Sequence, residues 1–456
     1  MRKSLRARVH SNGRQSVALV SLGCPKNLVD SEVMLASLAE HGFVTRGDMH
    51  EADVAVVNTC SFLNSARNEA EQWIKDAVRL KRNGKLRGLV IAGCLPALER
   101  NHLFKDFPEV DAIVGPRDRL KIAEACSLAL GQDGGRTSFL RDSDSLVRHL
   151  YPRAVSTGKH AAYLKIAEGC NNRCSYCLIP RIRGKMVSRT AKSLIEEASL
   201  LAKCGVRELS LIAQDTTNYG VDLYGRQRLA SLLGRLSRVE GISWIRLLYT
   251  HPAHWSDEIL DAFADNPELC RYADIPIQHI SDRVLGLMRR RISQRALVRI
   301  LEKIRDAVPG ISLRTTVMVG FPGEGEKEFS ELVEFLRSFR FDHLGAFAYS
   351  REGNTWAARL PKQVLDEAKA ERLRRIMEMQ QEISKSRNST MVGREVEVLV
   401  DSVNATGTRG VARTEGQALD IDGVVHVSGT GLCSGQFLKV LVVDFDEYDL
   451  FGKALT

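Results

Sequence analysis

Residues 162–177 decide the fold of the central part of this chain, and they read AYLKIAEGCNNRCSYC. The apolar run at the start is typical of a buried β-strand, and a loop with Cys170, Cys174 and Cys177 follows it directly. Thiolates are the usual ligands of iron–sulfur clusters, so this spacing predicts a cluster site. A 4Fe–4S cube has four irons, and three cysteines leave one iron open to a small molecule. Zinc fits less well, because zinc sites pair such cysteines with a second, distant pair that the sequence lacks.

The sequence downstream of this loop predicts a barrel of alternating strands and helices. Five further strand-like runs follow AYLKIAEGC, with helical patterns between them: ELSLIAQD, WIRLLYTHP, YADIPIQHI, LRTTVMVGFPG and HLGAFAYS. Consecutive βα units without hairpins indicate a βα barrel, which we expect to be partial and to hold six units. Functional groups should lie at the C-terminal ends of its strands. A long charged helix is expected next, over VLDEAKAERLRRIMEMQQEISKSRN.

The sequence upstream of the loop predicts a doubly wound α/β domain. Its strand-like runs alternate with helical patterns and read VALVSLGC, DVAVVNTC, GLVIAGC and VDAIVG. Cys24, Cys60 and Cys94 each end one of these runs, at spacings of 36 and 34 residues. Because the carboxyl ends of parallel strands meet at one edge, we expect these thiols to lie together. A single buried cysteine is usually a small hydrophobe, but the repeated placement favours a second three-thiol cluster site. The remaining cysteines are interpreted as structural thiols: Cys126, Cys204, Cys270 and Cys433.

The C-terminal part changes character and predicts a small antiparallel β barrel. Its β-rich runs are short, evenly spaced and punctuated by Gly, Asp and Asn: REVEVLVDSV, GVARTEG, GVVHVSGTG and QFLKVLVVDFDEYDLFG. The fold class is therefore α/β, with a doubly wound domain, a βα barrel and this β barrel in that order. The expected boundaries are a basic tail at 1–14, the α/β domain at 15–130, a linker at 131–155, the βα barrel with its trailing helix at 156–387 and the β barrel at 388–456.

Composition limits the class of protein and the compartment. The chain has 456 residues, of which 44% are apolar and 27% charged, and this excludes a disordered chain or a disulfide mini-protein. No uncharged apolar run approaches the ~20 residues that a membrane span needs. The basic first residues lack the apolar core of a secretory signal, so we expect a cytoplasmic protein. In that compartment the ten cysteines serve as thiols, ligands or catalysts, and a disulfide-linked partner is not expected.

The cysteine loop after the first barrel strand resembles the radical S-adenosylmethionine (SAM) enzymes. The resemblance implies that SAM chelates the open iron and that one electron cleaves it to a 5′-deoxyadenosyl radical. Tyr176 matches the family position whose backbone lies near the adenine. The turn formed by Gly320, Phe321, Pro322 and Gly323 resembles the one that lines the SAM pocket. A plain strand-to-helix turn is an equally good interpretation of those four residues.

The order of the three parts resembles the methylthiotransferases, from about Val17 to Leu450. Members of that family combine an N-terminal domain with three cluster cysteines, a radical SAM barrel and a small β barrel called TRAM. The resemblance implies two 4Fe–4S clusters, an auxiliary cluster that holds or donates sulfur, and SAM as the source of both methyl group and radical. An electron donor such as a flavodoxin or ferredoxin is then required.

Two branches of this family compete, and four segments favour the one that modifies an aspartate β-carbon in small-subunit ribosomal protein twelve. These segments are Ser21 to Glu32, Leu211 to Gly225, Asp274 to Arg290 and Ile421 to Gly429. Arg291 departs from the pattern, where glycine is expected. The alternative branch modifies an adenosine in transfer RNA. A non-catalytic iron–sulfur protein that carries electrons or docks on ribosomes is a third reading, which SAM cleavage would exclude.

The distribution of charge favours the ribosomal protein as substrate, free or on the ribosome. The net charge is +4 over residues 1–150, +10 over 151–390 and −5 over 391–456. Ribosomal proteins are rich in Lys and Arg, so an acidic β barrel would attract them and repel transfer RNA. An acidic tail that merely keeps the protein soluble is the simpler interpretation.

Several polar residues at predicted strand ends are left without an assigned role. His279, Gln214 and Asp215 end strands and could face the barrel mouth. Arg181, Arg183 and Lys185 follow the cysteine loop and could bring positive charge to a ligand, although a solvated loop is equally consistent. No catalytic residue is assigned beyond the cluster ligands.

Overall fold

The computed structural model describes residues 15–131, 135–140 and 150–455. The expected basic tail at 1–14 and residues 132–134 and 141–149 of the expected linker lie outside this part of the chain. The described residues form two compact units. The first holds the N-terminal part together with 151–155 and 181–184, and the second holds the rest of the chain from 156 onward.

The N-terminal unit is built on a parallel six-stranded sheet in the order β2-β1-β3-β4-β5-β6. Its strands are β1 (Ser16–Ser21), β2 (Val44–Arg46), β3 (Val54–Thr59), β4 (Gly88–Gly93), β5 (Ala112–Val114) and β6 (Thr137–Phe139). The two edge strands, β2 and β6, are three residues long and were not expected from the sequence. Residues of the expected linker thus form β6, which pairs with β5.

Helices cover both faces of this sheet, as a doubly wound domain requires. They are α1 (Pro25–Glu40), α2 (Asn64–Arg82), α3 (Cys94–Glu99), α4 (Leu103–Asp106) and α5 (Ile122–Leu130). Alternate residues of β3 point to opposite faces, so Ala55 and Val57 join the core under α2 while Val54 and Val56 join the core under α1 and α5. The near-continuous apolar runs of the sequence follow from this burial on both sides.

The second unit begins with six parallel strands in the order β14-β13-β12-β11-β10-β7, so β7 and β14 form the edges. The strands of this part are β7 (Ala161–Lys165), β8 (Ala167–Glu168), β9 (Val187–Ser188), β10 (Glu208–Ile212), β11 (Trp244–Leu247), β12 (Leu269–Asp274), β13 (Ser312–Val319) and β14 (His343–Ala348). All six predicted barrel strands are present, and the short β8–β9 pair lies beside them. The sheet is therefore a partial barrel of six βα units.

Helices connect these strands and close the outer face. They are α6 (Ile179–Ile182), α7 (Ala191–Lys203), α8 (Val221–Tyr224), α9 (Leu229–Leu236), α10 (Asp257–Asp265), α11 (Asp282–Met288), α12 (Gln294–Ala307), α13 (Glu326–Phe339) and α14 (Asp366–Ser389). Short 3-10 helices lie at Met49–Glu51, Arg100–His102, Pro116–Lys121, Pro252–His254 and Ala357–Arg359. The long charged helix expected after the last barrel strand is α14.

The C-terminal part is a closed five-stranded barrel in the order β15-β16-β17-β19-β18. Its strands are β15 (Glu395–Val403), β16 (Arg409–Arg413), β17 (Val425–Ser428), β18 (Phe437–Phe445) and β19 (Leu450–Ala454). Four neighbouring pairs are antiparallel, as expected, but β17 and β19 are parallel. A closed ring with an odd number of strands cannot alternate throughout, so one parallel pair is required.

A buried charge network joins the β barrel to the six-stranded sheet within the second unit. Arg413 of β16 donates to Glu208 Oε2 at 2.6 Å and to Asp401 Oδ1 at 2.8 Å. His160 Nε2 lies 2.8 Å from the same Asp401 oxygen, and Tyr272 Oη donates to Asp422 at 2.7 Å. Carboxylates of the acidic barrel therefore serve this internal junction.

Candidate metal centres

The N-terminal set of cysteines lies at the ends of three neighbouring strands. Cys24 follows β1 and caps the N-terminus of α1, Cys60 follows β3, and Cys94 opens α3 directly after β4. Because β1, β3 and β4 are adjacent in the sheet, the fold brings these thiols to one edge. A charge on Cys24 raises the pKa of both Cys60 and Cys94, so the three thiols are neighbours.

The glycines directly before Cys24 and Cys94 allow the ends of the three strands to lie close together. Gly23 has φ of +90°, and a Cβ there would lie 2.6 Å from Cβ of Cys60. Gly93 has φ of +91°, and a Cβ there would collide with Asn58 and the backbone of Thr59. Both positions combine a left-handed backbone with a contact that excludes any side chain. The two glycines therefore let the strand ends approach one another.

Burial and one arginine determine the electrostatics of this set. Burial raises the pKa of the Cys94 thiol to about 12 and raises that of Cys60. Burial also tends to raise the pKa of Cys24. The positive charges of Lys26 and Arg183, together with backbone N–H donors, outweigh this effect and lower the pKa of that thiol. Arg183 also donates from Nη2 to Sγ of Cys94 at 3.3 Å. Of the three thiols, only Cys24 is therefore favoured as a thiolate, the form that binds metal, and Cys60 and Cys94 would lose their protons when a metal binds.

The second set lies in the loop that follows β8. Gly169, with φ of +79°, turns the chain into this loop. Inside it, the N–H of Asn172 donates to Sγ of Cys170 and the N–H of Ile179 donates to Sγ of Cys177, each at 3.4 Å. Burial raises the pKa of Cys170 to about 11 and that of Cys177 to about 12. Backbone donors at two sulfurs are typical of a loop that wraps a cluster.

Side chains at the mouth of the partial barrel fasten this loop. Nδ2 of Asn172 donates to Oδ2 of Asp215 at 2.7 Å, directly after β10. Asp215 also accepts from Thr217 at 2.6 Å and from Nδ2 of Asn218 at 2.8 Å, and Nδ1 of His254 lies 2.9 Å from it. Burial opposes ionisation of Asp215, but His254 and the hydroxyl of Thr217 lower its pKa to about 2. An ionised, fully hydrogen-bonded carboxylate therefore holds the loop against β10.

The residues expected to line the SAM pocket come together. The ring centroids of Tyr176 and Phe321 are 6.3 Å apart in an edge-to-face arrangement. Glu324 accepts from the backbone N–H of Gly320 at 2.9 Å, and Nε2 of His279 lies 3.6 Å from the same carboxylate oxygen. His279 is fully buried and its Nδ1 accepts from the backbone N–H of Ser281 at 3.0 Å, so it supports this turn.

Two glycines of this turn have a positive φ, and a side chain at either position would press against neighbouring residues of the protein. Gly320 has φ of +70° and a Cβ there would collide with Lys369 of α14. Gly323 has φ of +90°, and a Cβ would lie 3.1 Å from Cδ1 of Leu287. Pro322 between them is buried. The glycines thus fix the shape of the turn.

Further polar residues gather at the mouth that the sequence did not single out. The rings of His251 and His254 stack with centroids 4.5 Å apart, and burial lowers the pKa of His251 to about 2. Tyr249 and Gln278, after β11 and β12, adopt φ of +58° and +70°. Non-glycine residues in this region of φ are uncommon and cluster at functional sites. The sequence indicated these residues only by their position at the ends of predicted strands.

The described residues hold no three His, Cys, Asp or Glu side chains around one point that a single metal ion would occupy. The chemistry of the donors instead fits a cluster, since a cube binds each thiolate through a different iron and spreads its ligands apart. Both sets offer three thiols and lack a fourth, which is the donor set of a 4Fe–4S cluster with one open iron.

The structure also locates the other residues that the sequence singled out. Cys126 and Cys270 are buried and Cys204 and Cys433 exposed. Arg291, which stands where glycine was expected, has φ of +55°, a left-handed conformation that glycine adopts more readily. Arg183 is 1% exposed and belongs to the N-terminal unit, so the reading of a solvated loop is wrong for this residue. No helix in the described ranges has both the length and the apolar character of a membrane span.

Three family signatures match the chain in the order of its parts. The uncharacterised protein family UPF0004 matches residues 16–115, the radical SAM superfamily matches 164–336 and the TRAM domain matches 392–455. In fold, the chain is similar to a radical SAM methyltransferase, TsrM, from Kitasatospora setae, with a TM-score of 0.55, 16% identity and coverage of 73% and 72% of the two chains. The protein is therefore a radical SAM enzyme, a class that uses an iron–sulfur cluster and SAM.

Curated relatives define the class more narrowly. A ribosomal protein uS12 methylthiotransferase RimO from Pelotomaculum thermopropionicum is 46% identical over 96% of this chain and 99% of its own. Another from Heliobacterium modesticaldum is 42% identical over 99% and 97%, and one from Clostridioides difficile is 42% identical over 96% and 98%. The chain belongs to the ribosomal protein uS12 methylthiotransferase family.

Proposed function

We propose that this enzyme inserts a methylthio group at the β-carbon of an aspartate in ribosomal protein uS12. The observation that carries the proposal is the near-complete match in length to uS12 methylthiotransferases, at 42–46% identity, together with two three-thiol sets in one chain. The β-carbon of an aspartate is not acidic enough for a side-chain base, so the reaction needs one-electron chemistry. The cofactors supply that chemistry, and the protein positions the groups and excludes water.

The loop after β8 would hold the cluster that binds SAM. Cys170, Cys174 and Cys177 would each ligate one iron, and the fourth iron would bind SAM. Tyr176 with Gly320, Pro322 and Gly323 would form one wall of the SAM pocket. The contact between Tyr176 and Phe321 supports this, because it places the cysteine loop against that turn. When bound, cluster and SAM supply the radical that breaks an unactivated C–H bond.

The N-terminal edge would hold the second cluster. Cys24, Cys60 and Cys94 would ligate three irons, and the open iron would accept the sulfur-containing group that is transferred. The close approach of Gly23 to Cys60 and the hydrogen bond from Arg183 to Cys94 support a site built for this purpose. A chance cluster of buried thiols would need neither feature.

The acidic character of the β barrel is a weaker argument for a basic protein substrate than its net charge suggests, because several of its carboxylates have partners within the protein. Asp401 and Asp422 accept hydrogen bonds from the six-stranded sheet or its flanking segment, and Glu415 accepts from the backbone N–H of Arg271 at 3.0 Å. Of the carboxylates in residues 444–449, Asp444 is exposed, whereas Glu447 pairs with Lys385 and Asp449 accepts from the backbone N–H of Val424. We propose that this segment contributes the attraction for the basic ribosomal protein.

The expected partners and compartment follow from the substrate. The enzyme would encounter the ribosomal protein in the cytoplasm, either free or on the ribosome. Reduction of the SAM-binding cluster needs an electron donor, for which we propose a flavodoxin or ferredoxin. No membrane and no disulfide-linked partner are part of this proposal.

Mass spectrometry of ribosomal proteins from cells with and without the gene tests the proposal. We expect a methylthio group on one aspartate of uS12 that disappears in the deletion and returns with the wild-type gene. The Cys94→Ala gene should not restore it, whereas Cys204→Ala, which changes an exposed thiol, should. If uS12 is unchanged and a transfer RNA adenosine loses its methylthio group, the sister activity is correct. If neither changes, the substrate class is wrong.

A further inference from the structure

One residue of the cysteine loop segment contributes to the other three-thiol set. Arg183 lies six residues after Cys177 in the chain, yet residues 181–184 pack within the N-terminal unit. Its side chain is 1% exposed, which makes it one of the most deeply buried large side chains of the protein. A guanidinium is rarely buried unless hydrogen bonds and a counter-charge satisfy it.

The backbone of Arg183 is held in place by a second buried arginine. Nε and Nη2 of Arg117 donate to the carbonyl of Arg183 at 3.0 and 2.7 Å. Gly184 follows with φ of +69°, and a Cβ there would lie 2.7 Å from Nη2 of Arg117. Only glycine therefore permits this contact, and the position of Arg183 is specified by the chain around it.

The guanidinium of Arg183 is aimed at the thiols by two anchors. Nη1 donates to Oδ2 of Asp30 at 3.0 Å, and Nη2 donates to Oδ1 of Asn27 at 3.3 Å. Both anchors lie on α1, the helix that Cys24 caps. The same Nη2 donates to Sγ of Cys94 at 3.3 Å. Asp30 is shared with buried Arg119, whose Nε lies 3.5 Å from Oδ1, so one carboxylate serves two arginines and the Cys94 sulfur is a further partner of Arg183.

The second set has a matching arginine. Arg290 is buried, donates from Nη2 to the carbonyl of Pro276 at 2.6 Å, and directs Nη1 to Sγ of Cys174 at 3.6 Å. Each three-thiol set thus has one buried arginine that donates to one of its sulfurs. Both arginines are distant in sequence from the sulfur they contact: Arg290 lies 116 residues from Cys174, and Arg183 lies 89 residues from Cys94.

We propose that Arg183 is a positioning residue that holds the Cys94 thiolate by an N–H···S hydrogen bond and raises the reduction potential of the cluster bound at the N-terminal set. This inference rests on the proposed cluster ligands Cys24, Cys60 and Cys94. Reduction adds negative charge to a cluster, and a buried cation and a donor at its sulfur stabilise that charge. Arg290 has the same effect on the cluster of Cys170, Cys174 and Cys177.

A redox titration followed by electron paramagnetic resonance tests this inference on each cluster separately. The full chain with Cys170, Cys174 and Cys177 all changed to alanine retains only the N-terminal cluster. In this background Arg183→Gln should shift the one-electron reduction equilibrium of the cluster at least tenfold toward the oxidised form. A tenfold shift corresponds to a reduction potential that is lower by about 59 mV. Arg181→Gln, which changes an exposed arginine two residues earlier in the chain, should leave the potential unchanged.

The reciprocal background completes the experiment. With Cys24, Cys60 and Cys94 changed to alanine, Arg290→Gln should lower the potential of the remaining cluster and Arg183→Gln should not. An unchanged potential in Arg183→Gln at normal iron content overturns the inference. If the glutamine variant does not bind iron, Arg183→Lys is measured instead, and it should show a smaller shift in the same direction. Loss of iron in both variants also overturns it, because Arg183 is then needed for assembly.

Failure of the proposed function gives a different result. If the background that retains Cys24, Cys60 and Cys94 binds no iron even with Arg183 in place, the second cluster itself is wrong. The iron content of the parent proteins therefore tests the ligands, and the shift in potential tests Arg183.

Discussion

The two three-thiol sites differ in how the chain builds them. Cys170, Cys174 and Cys177 lie in one loop, which is fastened at its edge by Asp215. Cys24, Cys60 and Cys94 are separated by 36 and 34 residues and meet only because β1, β3 and β4 are neighbours in a sheet. The first site is a property of a sequence motif, whereas the second is a property of the fold.

This difference determines what each site depends on. In the local loop the three cysteines stay together because they are close in sequence, and other side chains, such as Asp215, are needed only to orient the loop. The distributed site needs the sheet to form first, and then needs glycines at the strand ends so that the thiols can approach. Changes to the loop should therefore affect its chemistry, and changes to the N-terminal edge should affect assembly.

Removal of one thiol from each site gives the largest expected effect and separates their roles. Cys174→Ala should abolish both SAM cleavage and methylthiolation, because the SAM-binding cluster loses a ligand. Cys94→Ala should abolish methylthiolation and leave SAM cleavage intact. Formation of 5′-deoxyadenosine under anaerobic, reducing conditions and the modification of uS12 are the two measurements. Cys204→Ala is the control, and loss of SAM cleavage in Cys94→Ala would show that the sites do not act separately.

Asp215→Asn tests how the local loop is fastened. The carboxylate accepts from Asn172, Thr217 and Asn218, and an amide in its place would direct an N–H group at one of these donors. Loss of such an outer contact at a metal site typically costs 10–100-fold in activity, or roughly 1.4–2.8 kcal/mol. We expect a fall of this size in the rate of SAM cleavage, with the iron content of the N-terminal site unchanged. An unaltered rate would show that connectivity alone orients the loop.

Gly23→Ala tests the distributed site, with Gly42→Ala as its matched control. Both glycines have positive φ, at +90° and +84°, so each alanine carries a backbone cost of about 1–2 kcal/mol. Only at Gly23 would the new Cβ also collide with Cys60, whereas at Gly42 nothing lies within 4 Å. We expect Gly23→Ala to cost about 1–3 kcal/mol more and to lose iron from the N-terminal site. Thermal unfolding and iron analysis would check this, and equal behaviour of the two variants would contradict it.

The sequence predicted the large elements of the fold because their signals are local. Each of the six barrel strands is an apolar run followed by a helical pattern, and β1, β3 and β4 are similar. The edge strands β2 and β6 were missed, since three residues with one exposed face carry no such pattern. The parallel pair of β17 and β19 was also missed, because it follows from the number of strands in the ring and not from any one strand.

The sequence predicted the thiols of the candidate sites better than their surroundings. Cysteine spacing and strand ends placed both sets, but Arg183 lies outside the sequence neighbourhood of the thiol it contacts. A contact between residues 89 apart in sequence depends on how the segments pack, and composition does not encode it. The same holds for the acidic β barrel, whose net charge did not reveal that Asp401 and Asp422 face the protein interior.

Acid should weaken the fastening of the local loop by Asp215, and this is the smallest effect we expect. Asp215 has its pKa lowered from 3.8 to about 2, so the stability it contributes is present above pH ~4 and is lost as the pH falls toward 2. The cost of Asp215→Asn should therefore decrease by about 1 kcal/mol between pH 6 and pH 3. Asn172→Ala removes the loop's own contact with this carboxylate, so its cost should change in the same direction, whereas the cost of Gly23→Ala, which acts at the other site, should not change in this way. Thermal unfolding of the three variants and the wild type across this range is the measurement, and a constant cost for Asp215→Asn would show that an ionised carboxylate is not what holds the loop.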